Sequence, residues 1–125
     1  MADHPLHVLL VSPGKAPEPI TLDGTLAAMQ AAVGGLIQAV YPFEEPVALV
    51  CNDEGKLLGL PPNRALRHPE TGAIYDIICG DFFLCAAPPD SDSFQSLSPQ
   101  QFETYTARFQ HPEFLPGAVL FREVL

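Results

Sequence analysis

Short apolar runs alternate with proline- and glycine-rich breaks along the chain, and this pattern predicts many short elements. Three runs are each long enough for one strand: residues 7–11 (HVLLV), 18–22 (EPITL) and 36–41 (LIQAVY). Pro19 places the second of these at a sheet edge, because proline cannot donate to a β-ladder. A longer apolar run, residues 73–87, is broken at Gly80-Asp81, where the pattern allows a bulge within one strand or a turn between two.

A first helix is predicted over residues 26–33, between two polar or flexible ends. Asp23 or Thr25 is suited to the N-cap, and one residue of Gly34-Gly35 is expected in the left-handed position that ends the helix. The apolar residues recur at helical spacing on one face: Leu26, Met29 and Val33.

A second helix is predicted over residues 99–109, where Ser98 and Gln101 can form a capping box. Its apolar face carries Phe102, Tyr105 and Phe109. Residues 119–121 add a last short strand or a docked tail. Together these elements predict a single α+β domain over residues 1–125, a mostly antiparallel sheet with two main helices packed on it.

The centre of the predicted sheet is a β-hairpin over residues 46–60. Its first strand (PVALVC) is apolar throughout, as expected for a strand covered on both faces. Asn52 opens a turn that Gly55 closes with a positive φ, and the LLGL segment returns as the partner strand. Two prolines end that strand, and Asn63 and Arg64 follow directly.

Cys51, Cys79 and Cys85 all lie in apolar, strand-like runs. No CxxC or Cys/His spacing accompanies them, so we expect buried reduced thiols, no metal site and a cytoplasmic location. No run reaches the roughly 18 apolar residues of a transmembrane helix, and the N-terminus lacks the basic start of a signal peptide. We therefore expect no membrane association.

Acidic residues outnumber basic ones, with 15 Asp and Glu against 6 Lys and Arg and a net charge of −9. Without a basic stripe the chain has little with which to displace counterions from a phosphate backbone, so nucleic acid is not expected as a partner. Charged residues make up only 17% of the chain and the acids are scattered, which favours a role in solubility. No nucleotide-binding, metalloprotease or nucleophile motif occurs, so neither a cofactor nor a catalytic residue is predicted.

Arg64 and Asn63 form the candidate ligand site. An arginine can hold a carboxylate or phosphate through two hydrogen bonds, and Asn63 adds a donor and an acceptor beside it. The rigid prolines before Arg64 limit the entropy lost when its side chain is ordered. Strand pairing is expected to bring Tyr41 and Asp81 near, and Asn52 completes the predicted set. Such a pocket would suit a small anionic or nucleotide-like ligand.

In a structural alternative, the same two residues stabilise the fold and bind no ligand. In it, Arg64 forms an ion pair with Glu44, Glu45 or Asp81, and Asn63 shapes the turn after the prolines. The sequence leaves both interpretations open.

The segment VCNDEGKLLGLPPNR, with DGTLAAMQAAVGG before it and IYDIICGDFFLC after it, resembles the bacterial and phage family called domain of unknown function 3846. The resemblance implies a small cytoplasmic protein carried largely on phages and mobile elements, and it implies no catalytic residues. Asn52, Gly55, Asn63 and Arg64 are the positions of the family's motif that are matched in this chain.

Three functions are compatible with these observations. The first is a non-enzymatic binding protein of phage or mobile-element type, with a counter-defence or regulatory role, that sequesters a small anionic ligand such as a nucleotide signal. The second is an acidic module that blocks a basic host protein, and the third is an enzyme of unknown type. Self-association into a homo-oligomer is left open.

Overall fold

The computed structural model describes residues 5–115, and this part of the chain contains seven strands and two helices. In chain order they are β1 (Pro5–Val11), β2 (Glu18–Asp23), α1 (Leu26–Val33), β3 (Ile37–Val40), β4 (Val47–Asn52), β5 (Pro62–Arg67), β6 (Ile74–Cys79), β7 (Phe82–Ala86) and α2 (Pro99–Arg108). The strand pairs are antiparallel, so the predicted α+β class is confirmed.

Five strands form one sheet in the order β2-β1-β7-β4-β3, and β5 and β6 form a separate two-stranded sheet. Because side chains alternate across a strand, the three central strands bury residues on both faces of the large sheet. One face packs against α1 through Leu6, Val8, Ala48, Val50, Phe83, Met29 and Val33. The other face is covered by α2 and by the β5–β6 pair, through Leu9, Leu49, Leu84, Leu66, Ile78, Tyr105 and Phe109. Burial on both sides explains why these strands are apolar at nearly every position.

The helices follow the predicted boundaries closely. α1 begins after Thr25, whose side chain accepts from the Ala28 N–H at 3.2 Å, and it ends at Gly34 in the left-handed conformation. α2 begins with the predicted capping box between Ser98 and Gln101. Local capping signals were therefore sufficient to locate both helices.

The predicted hairpin is wrong in its second half. β4 is a strand, but it pairs with β3 and β7, and residues 53–59 form a turn. The Leu60 N–H donates to the Gly55 carbonyl at 3.0 Å. The Gly59 N–H donates to the Lys56 carbonyl at 3.2 Å, and Gly59 is left-handed with a φ of 72°. This pair of bonds is the Schellman motif that closes a helical turn, so the LLGL segment curls instead of extending.

Gly55 also has a different role from the predicted one. Its φ is not positive. A Cβ atom at this position would lie 2.6 Å from the carbonyl oxygen of Cys79, which is closer than side chains approach backbone. Gly55 therefore allows the turn to lie directly against β6.

The break at Gly80-Asp81 separates two strands that belong to different sheets. β6 pairs with β5, whereas β7 lies at the centre of the large sheet between β1 and β4. Gly80 has a φ of 86° at this corner, and its N–H donates to the Pro61 carbonyl at 2.7 Å. Of the two predicted alternatives, a turn between two strands is therefore correct, although these two strands do not pair with each other. The strand or tail predicted at residues 119–121 lies outside the described residues.

Candidate functional site

Asn63 and Arg64 lie inside β5, and both are fully buried, with 0% of either residue exposed. Consecutive strand residues normally point to opposite faces. Here the register of β5 against β6 shifts between Pro62 and Arg64. An irregularity of this kind redirects side chains, and it lets two neighbouring polar residues enter the interior together.

The Arg64 guanidinium is surrounded by carbonyl oxygens. Its Nε and Nη2 donate to the Phe109 carbonyl at 3.2 and 2.8 Å, and Nη2 also donates to the Lys15 carbonyl at 2.7 Å. Its Nη1 donates to the Asn63 Oδ1 at 2.8 Å and to the Asn63 backbone oxygen at 3.3 Å. A guanidinium has five N–H donors, and these five bonds leave none for a ligand.

The ion pair expected in the structural alternative is wrong. Among residues 5–115, Arg64 forms no salt bridge, and the two ion pairs present are Lys56–Asp76 and Arg67–Glu113. The Glu45 carboxylate instead accepts from the Tyr105 hydroxyl at 2.6 Å. Backbone carbonyls and the Asn63 side-chain oxygen satisfy the arginine in place of carboxylates.

Asn63 completes the arrangement from the other side. Its Nδ2 donates to the Val11 and Gly80 carbonyls, both at 2.9 Å, while its Oδ1 accepts from Arg64. No buried side-chain nitrogen or oxygen of the described residues lacks a partner. We call this group the polar knot; it comprises Asn63 and Arg64 with the carbonyls of Val11, Lys15, Gly80 and Phe109. It joins the end of β1, the loop after it, the corner between the sheets and the end of α2.

The buried charge of Arg64 is stabilised by a helix end. Burial lowers the pKa of the guanidinium and the Glu113 carboxylate opposes that change, but an arginine stays protonated in proteins. Phe109 is the C-cap of α2, so its carbonyl lies at the negative end of the helix dipole. A cation there is favourable and also satisfies a carbonyl that the helix leaves without a partner. This accounts for a buried cation without a carboxylate.

The other predicted site residues lie apart from the polar knot. The Asn52 side chain donates to the Val33 carbonyl at 3.1 Å and accepts from the Glu54 N–H at 2.8 Å, so it joins the end of α1 to the turn. Tyr41 is 61% exposed, and Asp81 is half-buried next to the corner glycine. Of the five residues, direct hydrogen bonding joins only the β5 pair. Their assignment to a ligand site stays a prediction.

Two clefts of the described surface are candidates for anion binding. The first, about 150 Å³, lies between residues 53–59 and β6; its charged lining residues are Asp53, Glu54, Lys56 and Asp76. The second, about 270 Å³, has Tyr41 and Phe94 with Asp92 and no basic residue. Since carboxylates outnumber cations in both linings, neither cleft favours a small anion.

The turn at residues 53–59 exposes two leucines, and sequence reasoning missed this. Leu57 is 87% exposed and Leu58 is 57% exposed. The available signal was Gly59, since a glycine directly after LL can close a single helical turn too short to bury both side chains. We call residues 53–59 the dileucine turn. It is held by the Asn52 cap, by the close approach of Gly55 to β6, and by an ion pair between Lys56 and Asp76.

All three cysteines are buried, as predicted. Two of their thiols have strongly raised pKa values. Burial, followed by the charges of Asp76 and Asp53, raises the pKa of the Cys51 thiol to about 11, and burial raises that of Cys85 to about 12. A thiol with so high a pKa is a poor nucleophile at neutral pH. Within the described range there is also no cluster of His, Cys, Asp or Glu that could hold a metal ion, and no helix is long and apolar enough to cross a membrane.

Comparison with known protein families identifies a match. The family model described as domain of unknown function (DUF3846) matches residues 6–110, a segment that contains both the polar knot and the dileucine turn. No match was found among curated proteins or among solved structures.

Proposed function

The chain belongs to the DUF3846 family, and from the geometry of its turn we propose that it is a non-enzymatic binding module that docks on a host protein through the dileucine turn. The observation that carries this proposal is the exposure of two adjacent leucines on a turn with defined hydrogen bonds. Isolated exposed leucines are common on protein surfaces. A fixed apolar pair is a better anchor, because each leucine contributes about 1.5–3 kcal/mol when it is fully buried.

The turn is already ordered, which favours tight association. Three backbone bonds within residues 54–60 hold it, including one from the Leu58 N–H to the Glu54 carbonyl at 2.9 Å. A segment that is ordered before binding loses less conformational entropy when it docks. Most of the free energy of burying the leucines would therefore contribute to binding of the partner.

The surroundings of the turn indicate the chemistry of the partner. Exposed Ile74 and Tyr75 precede Asp76 in β6, the strand that the ion pair joins to the turn. Exposed Asp53 and Glu54 give the apolar centre an acidic rim, in a chain with a net charge of −9. Charge complementarity then calls for an apolar pocket bordered by lysine or arginine. This is the acidic module that blocks a basic host protein.

A small anionic ligand is our second proposal. It cannot use the donors of Arg64 while the polar knot is closed, because every guanidinium N–H is bonded. Binding would require that knot to open or a site elsewhere. Calorimetry against a panel of nucleotides tests it, since a saturable isotherm would favour the ligand over the protein partner.

The wider role that we propose is counter-defence in the cytoplasm. It rests on the resemblance to a family carried on phages and mobile elements, and a protein that blocks a host factor needs no catalytic site. Cells that carry the gene should lose part of their resistance to phage. Unchanged resistance in every tested background would rule this role out.

The docking proposal is tested with a double variant, Leu57→Ser with Leu58→Ser. Tagged full-length protein is used to purify partners from bacterial lysate, and each candidate is then purified and titrated by calorimetry. We expect the double variant to bind at least about 100-fold more weakly, the scale of two buried leucines.

The matched control is Leu26→Ser, which removes a leucine of α1 that is about as exposed as Leu58. It should bind with unchanged affinity, and both variants should keep the wild-type melting temperature. A partner that binds the double variant as tightly as the wild type would overturn the dileucine turn as the docking surface.

A further inference from the structure

The two edges of the large sheet differ in how they are protected. The β2 edge carries Glu18, Pro19 and Asp23, residues that discourage pairing with another strand. The β3 edge reads Ile-Gln-Ala-Val, without charge or proline. Exposed Leu36 and Tyr41 lie at its two ends, 57% and 61% exposed. An uncharged apolar edge is a template for pairing, whereas β2 is not.

The outward backbone groups of β3 follow from its register with β4. The Asp53 N–H donates to the Leu36 carbonyl at 2.8 Å, and Gln38 lies opposite Cys51. Hydrogen-bonded and non-hydrogen-bonded pairs alternate in an antiparallel ladder. The N–H and C=O of Ile37 and Ala39 therefore point away from β4, and no strand of the described residues pairs with them there.

Tyr41 lies directly after the end of β3 and two residues after Ala39. An extended chain at this point places its side chain on the same face of the sheet as those of Ile37 and Ala39, the face that carries α1. Consistent with this, Tyr41 shares a cleft with Phe94, which packs on the same face. Residues 37, 39 and 41 thus form an odd-numbered set that is symmetric about Ala39.

We propose that β3 pairs antiparallel with β3 of a second copy of this chain, about a twofold axis at Ala39, to give a continuous ten-stranded sheet. Outward groups meet outward groups when the axis lies at Ala39 or at Gln38. The axis at Ala39 is the one that also uses Tyr41, and it places Ala39 opposite Ala39 and Ile37 opposite Tyr41 of the second copy. Cross-strand pairs of a β-branched and an aromatic residue stabilise sheets. A register shifted by one residue would set outward groups against inward ones and lose these bonds.

A second copy fits this edge better than an unrelated extended segment. Residues 37, 39 and 41 are self-complementary. One twofold operation therefore provides hydrogen-bond partners for the β3 edges of both chains at once. Each copy carries a charge of −9, but none of it lies on β3. Repulsion between the two copies is therefore long-range and screened by salt, and the dimer should become tighter as ionic strength rises.

The test is sedimentation of the full chain at micromolar concentration, at low and high salt. The wild type should sediment as a dimer, more completely at high salt. Ala39→Pro removes the central outward N–H without removing a bond to β4, and proline is tolerated on an edge strand. Tyr41→Lys places a charge at the end of the edge. Both variants should be monomeric with unchanged far-UV circular dichroism.

Leu26→Lys is the matched control, because it makes the same charge change at an exposed apolar residue on α1. It should remain dimeric. A monomeric wild type, or a dimer that survives both edge variants, would overturn the proposal. A monomer whose β3 edge captures an extended segment of another protein would also overturn self-pairing and assign the edge to that partner.

The register has its own test by cysteine cross-linking. Opposed residues of a hydrogen-bonded pair have Cα atoms about 5.5 Å apart, within the roughly 4.4–6.8 Å of disulfides. Ala39→Cys should therefore form an intermolecular disulfide on oxidation. Gln38→Cys should not, since the two copies of residue 38 are diagonal neighbours, about 7–8 Å apart. The native thiols are buried and serve as the background. The reverse result would overturn the twofold axis at Ala39.

Discussion

The polar knot and the dileucine turn are close in sequence and opposite in character. In the polar knot, two strongly polar side chains have no exposed surface, and every donor of the arginine is bonded. In the turn a few residues earlier, two leucines face solvent. The polar residues therefore stabilise the fold, while the apolar residues are available at the surface. Neighbouring residues of the same sequence motif can therefore have different roles.

The largest effect that we expect comes from Arg64→Ala. The substitution removes the donors of Arg64 from the buried carbonyl of Phe109 and the part-buried carbonyl of Lys15, and it removes the cation at the end of α2. Each unsatisfied buried group costs about 1–3 kcal/mol, so the free energy of unfolding should fall by about 3–5 kcal/mol. Urea denaturation followed by circular dichroism measures this loss.

Arg67→Ala is the control for that prediction. Arg67 is exposed and pairs with Glu113 at 2.9 Å, and exposed ion pairs contribute about 0–1 kcal/mol. Equal losses for the two arginines would show that the polar knot does not stabilise the fold. A stable Arg64→Ala protein that no longer binds a nucleotide would instead show that Arg64 belongs to a ligand site.

Gly55→Ala should have the next largest effect. The added Cβ would meet the Cys79 carbonyl at 2.6 Å, and the turn must then move away from β6. Overpacking of this kind costs about 1–3 kcal/mol. Gly59→Ala, in the same turn, has open space around its Cβ, and its cost comes only from its left-handed φ, about 1–2 kcal/mol. Urea midpoints that rank the two variants in the opposite order would contradict the contact with β6.

Alkaline pH should distinguish the buried thiol of Cys51 in β4 from the polar knot. Burial raises the pKa of Cys51 from 9.0 to about 11, so its stabilising effect is complete below pH 9 and is lost as the pH rises towards 11. The loss is at most about 1.4 kcal/mol per pH unit for one thiol. Arg64 stays protonated over this range.

The measurement compares wild type and Cys51→Ala by urea denaturation at pH 8 and pH 10. The difference between their free energies of unfolding should shrink by about 1 kcal/mol at the higher pH. The cost of Arg64→Ala should be the same at both. A Cys51 difference that does not change with pH would mean that the thiol is not held in its neutral form.

Leu57→Ser should have the smallest effect on stability. The side chain is 87% exposed, and exposed substitutions usually change the free energy of unfolding by less than about 0.5 kcal/mol. Leu49→Ser, in a fully buried position of β4, is the contrasting control and should be severely destabilised. A marked loss of melting temperature for Leu57→Ser would mean that the leucine packs in the fold and is not free to dock.

The sequence was sufficient where the deciding interactions are local. The capping box of Ser98 and Gln101 spans three residues, and the glycine after α1 is adjacent to the helix that it ends. The dileucine turn was missed because an LLGL segment fits a strand or a helical turn equally well. What decides between them is the approach of Gly55 to Cys79, and no pattern within the segment encodes that contact.

The polar knot was identified by residue type but not by role. Sequence reasoning paired Arg64 with carboxylates, because acidic side chains are visible in a sequence as acceptors. Its actual acceptors at Phe109 and Lys15 are backbone carbonyls, 45 and 49 residues away. Every residue has such a carbonyl, so only the tertiary structure selects which ones are used.

The central position of β7 has a consequence for how the protein is made. β1 with β2, and β3 with β4, are two hairpin-like pairs that do not pair with each other; β7 joins them. Contacts between distant segments form slowly, and here the joining strand is the last of the described strands to be synthesised. A nascent chain that ends at Asp81 holds both pairs but no strand that pairs with both of them. The large sheet can therefore close only after residue 86 has left the ribosome.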